Sequence, residues 1–255
     1  MATQELKAAV FRALHEGEPF VIPNPWDAGS ARVLEALGFQ ALATTSSGFA
    51  FTLGRPDGGA TLDDVCAHVA TLSEAVDLPV SVDLENGYDD PGETIRRIAE
   101  AGAVGASIED YDPAGRIYEL DQAVERLSAA IEAARALPFP FMLTGRAENH
   151  FRGNPDMDDT ITRLQAYEQA GADVLYAPRL TTVEEIRSVC DAVTKPVNAL
   201  ALRDLSFAEM TEAGAQRVSV GGTLAWSAVA AFRTAAEAIR DRGDFSGLRS
   251  GEDWF

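Results

Sequence analysis

The sequence is poor in cysteine and histidine, which narrows the chemistry open to it. Its 255 residues include two cysteines, Cys66 and Cys190, and three histidines. Both cysteines fall within helical patterns, so we interpret them as small core residues and not as a disulfide or a nucleophile. The histidines, His15, His68 and His150, lack the spacing of metal ligands. These shortages argue against thiol chemistry and against a histidine-ligated metal.

Basic residues are also scarce, and no apolar run reaches the length of a membrane span. The chain has 21 Lys and Arg residues against 40 Asp and Glu residues, which gives a net charge of −19. Nucleic acids and anionic membranes are bound by basic surfaces, so we expect neither as a partner. The first residues show no signal-peptide pattern, so we expect a cytoplasmic protein. An anionic ligand would have to be held by a few well-placed arginines.

What the sequence does contain is a regular alternation of short apolar strands and amphipathic helices. A helix over residues 4–16 comes first, and eight strand-helix pairs follow. Glycine before a strand recurs after Glu100-Ala101 and after Gln169-Ala170, as expected where a helix stops. The pattern predicts one (β/α)₈ TIM barrel domain over residues 1–255 with an extra N-terminal helix. A doubly wound sheet is the alternative, but it would usually carry a glycine-rich dinucleotide turn, and none follows a strand here.

Two carboxylates stand at the end of the third predicted strand. Asp83 and Glu85 are two residues apart, so their side chains point to the same face. Neighbouring like charges repel unless a cation or a shared proton lies between them. Mg²⁺ prefers carboxylate oxygens and keeps several waters, so it is the simplest counter-ion. The alternative is a solvated turn followed by a helix cap.

Further polar residues follow the other strands, at the end of a barrel where active sites gather. Glu109 and Asp110 come after the fourth strand, Arg146 after the fifth, and Asn198 lies in the seventh. Acids follow strands three and four, and an arginine follows strand five. This division suits a substrate that is chelated by a metal ion and whose carboxylate binds the arginine.

Several of these strand-end signals have a plainer explanation. Asp27 could simply cap a helix, and Asp57 lies in Arg55-Pro56-Asp57-Gly58, a strong β-turn sequence. Ser46-Ser47-Gly48 offers hydroxyls and amides to a carboxylate, but it is also ordinary loop sequence, and we predict a loop over residues 46–59. Gly221-Gly222 could bind phosphate or form a tight turn.

Taken in order, these motifs resemble those of the isocitrate lyase/phosphoenolpyruvate mutase superfamily. The resemblance runs from about Pro23 to the final helix. The motifs that carry it are Ser46-Ser47-Gly48, Pro56-Asp57, Asp83-Leu84-Glu85-Asn86-Gly87-Tyr88, Ile108-Glu109-Asp110 and Gly145-Arg146-Ala147-Glu148.

The resemblance implies a TIM barrel, often tetrameric, whose last helix is exchanged between subunits. It also implies a Mg²⁺ ion (with Mn²⁺ as an alternative) that is held largely through water. By position, the implied metal-site residues are Asp83, Glu85 and Glu109; the implied catalytic residues are Asp57 and Arg146; and the implied substrate-binding residues are Ser46, Ser47, Gly48, Arg146 and Asn198.

One segment departs from the family pattern. Lyases of the family carry a Cys-Gly-His loop with preceding basic residues after the strand-four acids, and the mutases carry a Lys and an Asn there. Residues 111–119 of this chain, which we call the gate segment, contain no Cys, Lys, His or Asn. The residues of this gate segment with suitable chemistry are Arg116, Tyr111 and Tyr118, and we predict Arg116 as its catalytic residue.

These observations predict a Mg²⁺-dependent lyase that cleaves a C–C bond of a small 2-oxo or 2-hydroxy di- or tricarboxylic acid. We expect a small anionic carboxylate as substrate and a homo-oligomer, either dimer or tetramer. Three alternatives stay open: a mutase or hydrolase acting on a phosphonate P–C bond, a barrel that binds 2-oxo acids without catalysis, and an unrelated barrel enzyme that binds sugar phosphates at Gly221-Gly222.

Overall fold

The computed structural model describes residues 2–249 and 251, and within them the chain forms ten strands and ten helices. The strands are β1 (Phe20–Ile22), β2 (Leu42–Ala43), β3 (Val80–Asp83), β4 (Gly105–Glu109), β5 (Tyr111–Asp112), β6 (Arg116–Ile117), β7 (Met142–Arg146), β8 (Val174–Tyr176), β9 (Val197–Leu200) and β10 (Arg217–Ser219). The helices are α1 (Gln4–Leu14), α2 (Ala28–Ala36), α3 (Ser46–Thr52), α4 (Leu62–Ala75), α5 (Pro91–Glu100), α6 (Leu120–Arg135), α7 (Met157–Ala170), α8 (Val183–Ala192), α9 (Phe207–Glu212) and α10 (Thr223–Arg242).

Eight of the strands form one parallel sheet in the order β1-β10-β9-β8-β7-β4-β3-β2. The two edge strands approach each other, since the Ala43 amide donates to the Pro23 carbonyl at 3.1 Å and Asn24 Nδ2 donates to the Thr44 carbonyl at 2.9 Å. The sheet is therefore a nearly closed barrel surrounded by helices. This confirms the predicted (β/α)₈ fold and excludes the doubly wound sheet.

Helix starts follow the sequence signals closely. Capping boxes occur at Thr61, Thr182 and Ser206. In each, the hydroxyl accepts from the backbone amide three residues later, and the carboxylate of that later residue accepts from the backbone amide of the cap residue. Asp27 also caps a helix, because it accepts from the Ser30 amide at 2.7 Å. The plainer explanation of Asp27 is therefore confirmed.

Two segments differ from the prediction. Residues 46–52, predicted as part of a loop, form helix α3, because Thr45 caps it by accepting from the Gly48 amide. The gate segment contains an antiparallel hairpin of β5 and β6, in which Tyr111 pairs with Ile117. Neither element is long enough to show a periodic pattern in the sequence.

The N-terminal helix α1 closes the end of the barrel where the strands begin. Ala8 and Phe11 are fully buried and pack with Phe20, Ile22 and Val104. The approach is close, since a Cβ built on Gly105 would lie 2.6 Å from Phe11 Cε1. The carboxyl ends of the strands, where the predicted site residues lie, are therefore at the end of the barrel opposite to α1.

His15, at the end of α1, is buried in a fixed neutral state. Its Nδ1 donates to the Phe11 carbonyl at 2.8 Å, and its Nε2 lies 3.2 Å from Arg217 Nη1, which can only donate. Burial, together with the Arg217 charge, lowers the pKa of His15 to about 3. The folded protein thus keeps this imidazole neutral at pH values where the unfolded chain protonates it.

We expect this histidine to make the protein less stable in mild acid. A group with a lowered pKa loses stability as the pH falls below its unfolded value of about 6.5, and the loss from His15 should reach about 2 kcal/mol at pH 5. The measurement is the free energy of unfolding by urea at pH 7 and pH 5, for wild type and His15→Gln. The difference between the two pH values should shrink by about that amount in the variant. Parallel pH curves for the two proteins would contradict the assignment.

Helix α10 lies largely on the surface of the single chain. Phe232 is 74% exposed, Trp226 is 45% exposed, and Ala225 is the one residue of this helix that is buried in the described part of the chain. Exchange of this helix and the predicted oligomer stay predictions. The ends of the predicted domain, residue 1 and residues 252–255, lie outside the described residues. No helix in the described part of the chain is long and apolar enough to cross a membrane.

Candidate active site

Strands β3, β4 and β7 are neighbours in the barrel, and they bring the predicted acids and arginine together. Asp83 aligns with Ser107 in β4, and Glu109 aligns with Arg146 in β7. Arg146 and Glu109 line a cavity of about 1050 Å³ at the carboxyl ends of the strands. Arg146 also borders a smaller cavity of about 50 Å³ inside the barrel, whose wall includes Asp83. The sequence prediction of one acid-and-arginine site agrees with this arrangement.

Arg146 is the centre of a charged cluster. Its guanidinium lies 2.5 Å from Glu148 Oε1, 3.3 Å from Glu109 Oε2 and 3.5 Å from Asp83 Oδ1. Burial alone would lower its pKa, but the three carboxylates raise the pKa well above its ordinary value. Arg146 is therefore permanently charged and held in one orientation by its acidic neighbours.

Glu85 is a partly buried acid that lies near two other carboxylates. Burial, followed by the charges of Asp83 and Asp57, raises the pKa of Glu85 to about 7. Its backbone is also unusual, with a φ of 51°, and its carbonyl accepts from the Glu109 amide at 2.8 Å. Such a conformation is costly for a residue with a side chain and is often found at functional sites. The cluster of Asp83, Glu85 and Asp57 is the place where a cation would relieve most repulsion.

The acids of the site offer oxygen ligands of the kind that Mg²⁺ prefers. Among the residues that the structure describes, no group of three or more His, Cys, Asp or Glu side chains is arranged to hold a metal by itself. Glu109 has an arginine on each oxygen, since Arg152 Nη2 lies 3.2 Å from Oε1 and Arg146 Nη2 lies 3.3 Å from Oε2. Mg²⁺, however, commonly uses one or two carboxylates and keeps several waters. Asp83 and Glu85 fit that mode, and Glu109 would be reached through water.

The segment Ser46–Gly48 forms the first turn of α3 and contributes backbone amides. Asp83 Oδ2 accepts from the Ser46 amide at 3.1 Å, and Thr45 Oγ1 accepts from the Gly48 amide at 3.3 Å. Ser47 Oγ accepts from Trp226 Nε1 of α10 at 3.2 Å, so this hydroxyl faces the last helix. Gly48 has a packing role, because a Cβ there would lie 2.7 Å from Thr45 Cγ2.

The remaining predicted site residues are placed differently from one another. Asp57 and Ser46 line the larger cavity. Asn198 lies inside the barrel, where it donates to Ser219 Oγ at 2.9 Å and accepts from Arg217 Nε at 2.8 Å. Arg116 is 76% exposed at its side chain and pairs with Asp112 on the gate hairpin. Arg116 does not line the cavity, so its predicted catalytic role has no support from this geometry.

Sequence reasoning missed the residues that hold the gate in place. Asp110 accepts from the Glu148 amide at 2.8 Å, from Arg163 Nη1 at 3.0 Å and from the Tyr167 hydroxyl at 2.5 Å. Arg163 also donates to the carbonyl of Tyr118, the residue that ends the gate. A signal for Asp110 existed in the Glu-Asp pair, but nothing in the sequence pointed to its partners in α7.

Comparison with known proteins shows the family to which the chain belongs. The family model for phosphoenolpyruvate phosphomutase matches residues 11–240. The 2-methylisocitrate lyase of Escherichia coli K12 is 30% identical over 201 residues, which cover 73% of this chain and 67% of the relative.

Two solved structures extend this likeness to the whole chain. A Burkholderia cenocepacia J2315 protein, provisionally described as a lyase/mutase, is 51% identical with a TM-score of 0.94, covering 98% of this chain and 94% of its own. A 2,3-dimethylmalate lyase, described as a member of the PEP mutase/isocitrate lyase superfamily, is 27% identical with a TM-score of 0.87, covering 99% of this chain and 92% of its own. The chain therefore belongs to the phosphoenolpyruvate mutase/isocitrate lyase superfamily of lyases and mutases.

Proposed function

We propose that the protein is a Mg²⁺-dependent lyase that cleaves a C–C bond in a small 2-oxo or 2-hydroxy di- or tricarboxylic acid. The observation that carries this proposal is the joining of Arg146 with Asp83 and Glu109 at the mouth of the barrel, beside the partly buried Glu85. The guanidinium of Arg146 can orient a substrate carboxylate, and the carboxylates of the site suit a hard metal ion. The relatives named for 2-methylisocitrate and 2,3-dimethylmalate act on acids of this class.

Arg146 would bind and orient the substrate carboxylate. Its planar fork matches two carboxylate oxygens, and its three acidic neighbours prevent it from turning away. Holding the substrate in one pose at the strand ends reduces the entropy cost of reaching the transition state.

Loss of CO₂ from a 2-oxo acid such as oxaloacetate breaks the C3–C4 bond and moves its electron pair towards the 2-oxygen, which leaves a pyruvate enolate. The first amides of a helix lack acceptors within the helix, and in α3 the Ser46 and Gly48 amides are taken by Asp83 and Thr45. The Ser47 amide between them would donate to the developing charge, which is commonly the largest single contribution to catalysis. When bound, Mg²⁺ would supply Lewis-acid polarisation of the same oxygen and of the adjacent carboxylate.

The gate hairpin favours a reaction that needs little proton transfer. Residues 111–119 contain no Cys, Lys or His to protonate an enolate, and Arg116 is largely exposed and pairs with Asp112. Loss of CO₂ from an oxaloacetate-like acid needs no general base to release its leaving group, and the pyruvate enolate that remains can take its proton from water. Decarboxylation is therefore the reaction within this class that we propose first.

Cleavage or rearrangement of a phosphonate P–C bond is the second candidate. It is favoured by the match of most of the chain to the phosphoenolpyruvate phosphomutase model. Release of phosphate from phosphonopyruvate would distinguish this hydrolytic activity from C–C cleavage.

The test is a panel of acids assayed for release of a 2-oxo acid with lactate dehydrogenase and NADH. Oxaloacetate, isocitrate, 2-methylisocitrate, 2,3-dimethylmalate and phosphonopyruvate are each offered with Mg²⁺, with Mn²⁺ and with EDTA. A protein-free sample corrects for spontaneous decay of oxaloacetate. We expect EDTA-sensitive turnover of one di- or tricarboxylic acid. Binding of a 2-oxo acid without product from any member of the panel would support the non-catalytic alternative instead.

A further inference from the structure

We propose that Arg152 binds a second carboxylate of the substrate, so that the site selects dicarboxylic over monocarboxylic acids. The inference rests on the proposed function, because it concerns the same cavity. Arg152 lies in the connection between β7 and α7, whereas the sequence had pointed to Arg116 of the gate segment as the second cation of the site.

A single turn after β7 places Arg152 over the cavity. The Arg152 amide donates to the Glu148 carbonyl at 2.9 Å, and the Asn154 amide donates to the Asn149 carbonyl at 2.9 Å. This turn returns the chain towards the strand ends, where Arg152 lines the large cavity together with Arg146. The position of Arg152 is thus set by the backbone and not only by its own ion pairs.

Arg152 and Arg146 flank the same two acids. Arg152 Nη2 lies 3.2 Å from Glu109 Oε1, and its Nε lies 2.8 Å from Glu148 Oε2, while Arg146 contacts the other oxygen of each carboxylate. Two guanidinium groups that share their acidic neighbours stand close enough together to bind the two ends of one small diacid.

The two arginines differ in how firmly they are held. The Arg146 side chain is 14% exposed and has three acidic contacts, whereas the Arg152 side chain is 32% exposed and faces the opening. Glu148 is fully buried, and it keeps Arg146 at 2.5 Å even if Arg152 turns away. Arg152 can therefore exchange an acidic neighbour for a substrate carboxylate without leaving Glu148 unpaired, which would be costly.

The other cations of the described cavity wall are engaged elsewhere. Arg97 pairs with Asp63 on the surface, and Arg126 donates to the carbonyls of Asn86 and Tyr88. Arg152 is thus the cation placed beside Arg146 within the part of the chain that the structure describes. Because acids dominate this wall, an anionic substrate needs both.

The same side chain connects the substrate to the gate. The Arg152 guanidinium lies 3.6 Å from the centre of the Tyr111 ring at the start of the hairpin. A cation stacked on an aromatic ring is held more firmly when it is also fixed by an anion beyond it. Binding of a diacid to Arg152 should therefore order the hairpin, including the exposed Arg116.

The first experiment compares two acids that differ by one carboxylate. Binding of malate and of lactate is measured by calorimetry in the presence of Mg²⁺, for wild type, Arg152→Gln and the matched control Arg12→Gln. We expect Arg152→Gln to weaken malate binding tenfold or more while lactate binding changes less than twofold. Arg12→Gln, which removes the same charge from an exposed position of α1 at the opposite end of the barrel, should leave both affinities unchanged. Thermal unfolding of each variant establishes that it is folded.

A second readout follows the gate without using activity. Trypsin cleaves after Arg116, and mass spectrometry identifies that cut separately from all others. Malate should slow this cleavage in wild type and fail to slow it in Arg152→Gln.

An unchanged preference for malate in Arg152→Gln would overturn the inference, as would a wild-type protein that binds malate no more tightly than lactate. Either result leaves the proposed function to be judged by the turnover panel, so the two failures are distinguishable.

Discussion

Replacing Asp83 by Asn should abolish Mg²⁺-dependent turnover while the protein stays folded. We expect kcat/KM to fall by about 10³-fold or more, which corresponds to about 4 kcal/mol of transition-state stabilisation. Asp83 ends β3 and contacts both the Ser46 amide and Arg146, so it joins the proposed metal site to the proposed enolate site. The measurements are kcat/KM for the substrate found by the panel and Mg²⁺ affinity by calorimetry.

The substitution keeps the shape of the side chain, which separates charge from packing. An amide oxygen at the Oδ2 position can still accept from Ser46, so the start of α3 should be preserved. Asp158→Asn is the matched control, because it makes the same chemical change at an exposed position in the first turn of α7. Wild-type Mg²⁺-dependent turnover in Asp83→Asn would remove Asp83 from the metal site.

The barrel could be predicted because its signals are local and repeated. Each helix start with a capping box, as at Thr61 and Thr182, is visible in four residues of sequence, and so is each apolar strand. The strand ends then gather on one face because parallel strands in a barrel share a direction. That reasoning alone was sufficient to bring Asp83, Glu109 and Arg146 to one place, although their chemical roles stay predictions.

The rest of the site depends on contacts that leave no periodic trace. Helix α3 has seven residues and hairpin strands β5 and β6 have two each, which is too short for a pattern of buried positions. Arg152 lines the cavity because one turn of irregular chain places it there. Arg116 does not line the cavity and pairs with Asp112 on its own hairpin. Asn198 was assigned to the substrate from resemblance; its side chain accepts from Arg217 and lines the smaller cavity with Asp83 and Arg146, so the assignment stays a prediction.

Removing the guanidinium of Arg146 should damage stability and activity together. In Arg146→Met, the buried acids Glu109 and Glu148 each lose a partner, and Asp83 loses its contact as well. Breaking a buried ion pair from one side typically costs about 3–5 kcal/mol. We expect a loss of that size in the free energy of urea unfolding, measured at pH 8 in EDTA. Arg96→Met is the control, because Arg96 forms a surface pair with Glu93 whose loss should cost less than about 1 kcal/mol.

The pH dependence of that loss distinguishes charge from lost packing. The charge of Arg146 lowers the pKa of Glu109, so without it burial should raise that pKa further above the unfolded value of about 4.3. Carboxyl groups with raised pKa values destabilise the fold increasingly as the pH rises above the unfolded value, so the deficit of Arg146→Met should be larger at pH 8 than at pH 5. A deficit of equal size at both pH values would indicate lost packing and would contradict the electrostatic explanation. Arg146→Lys should recover part of the stability but not the activity, because one ammonium group cannot reproduce the bidentate fork that orients a carboxylate.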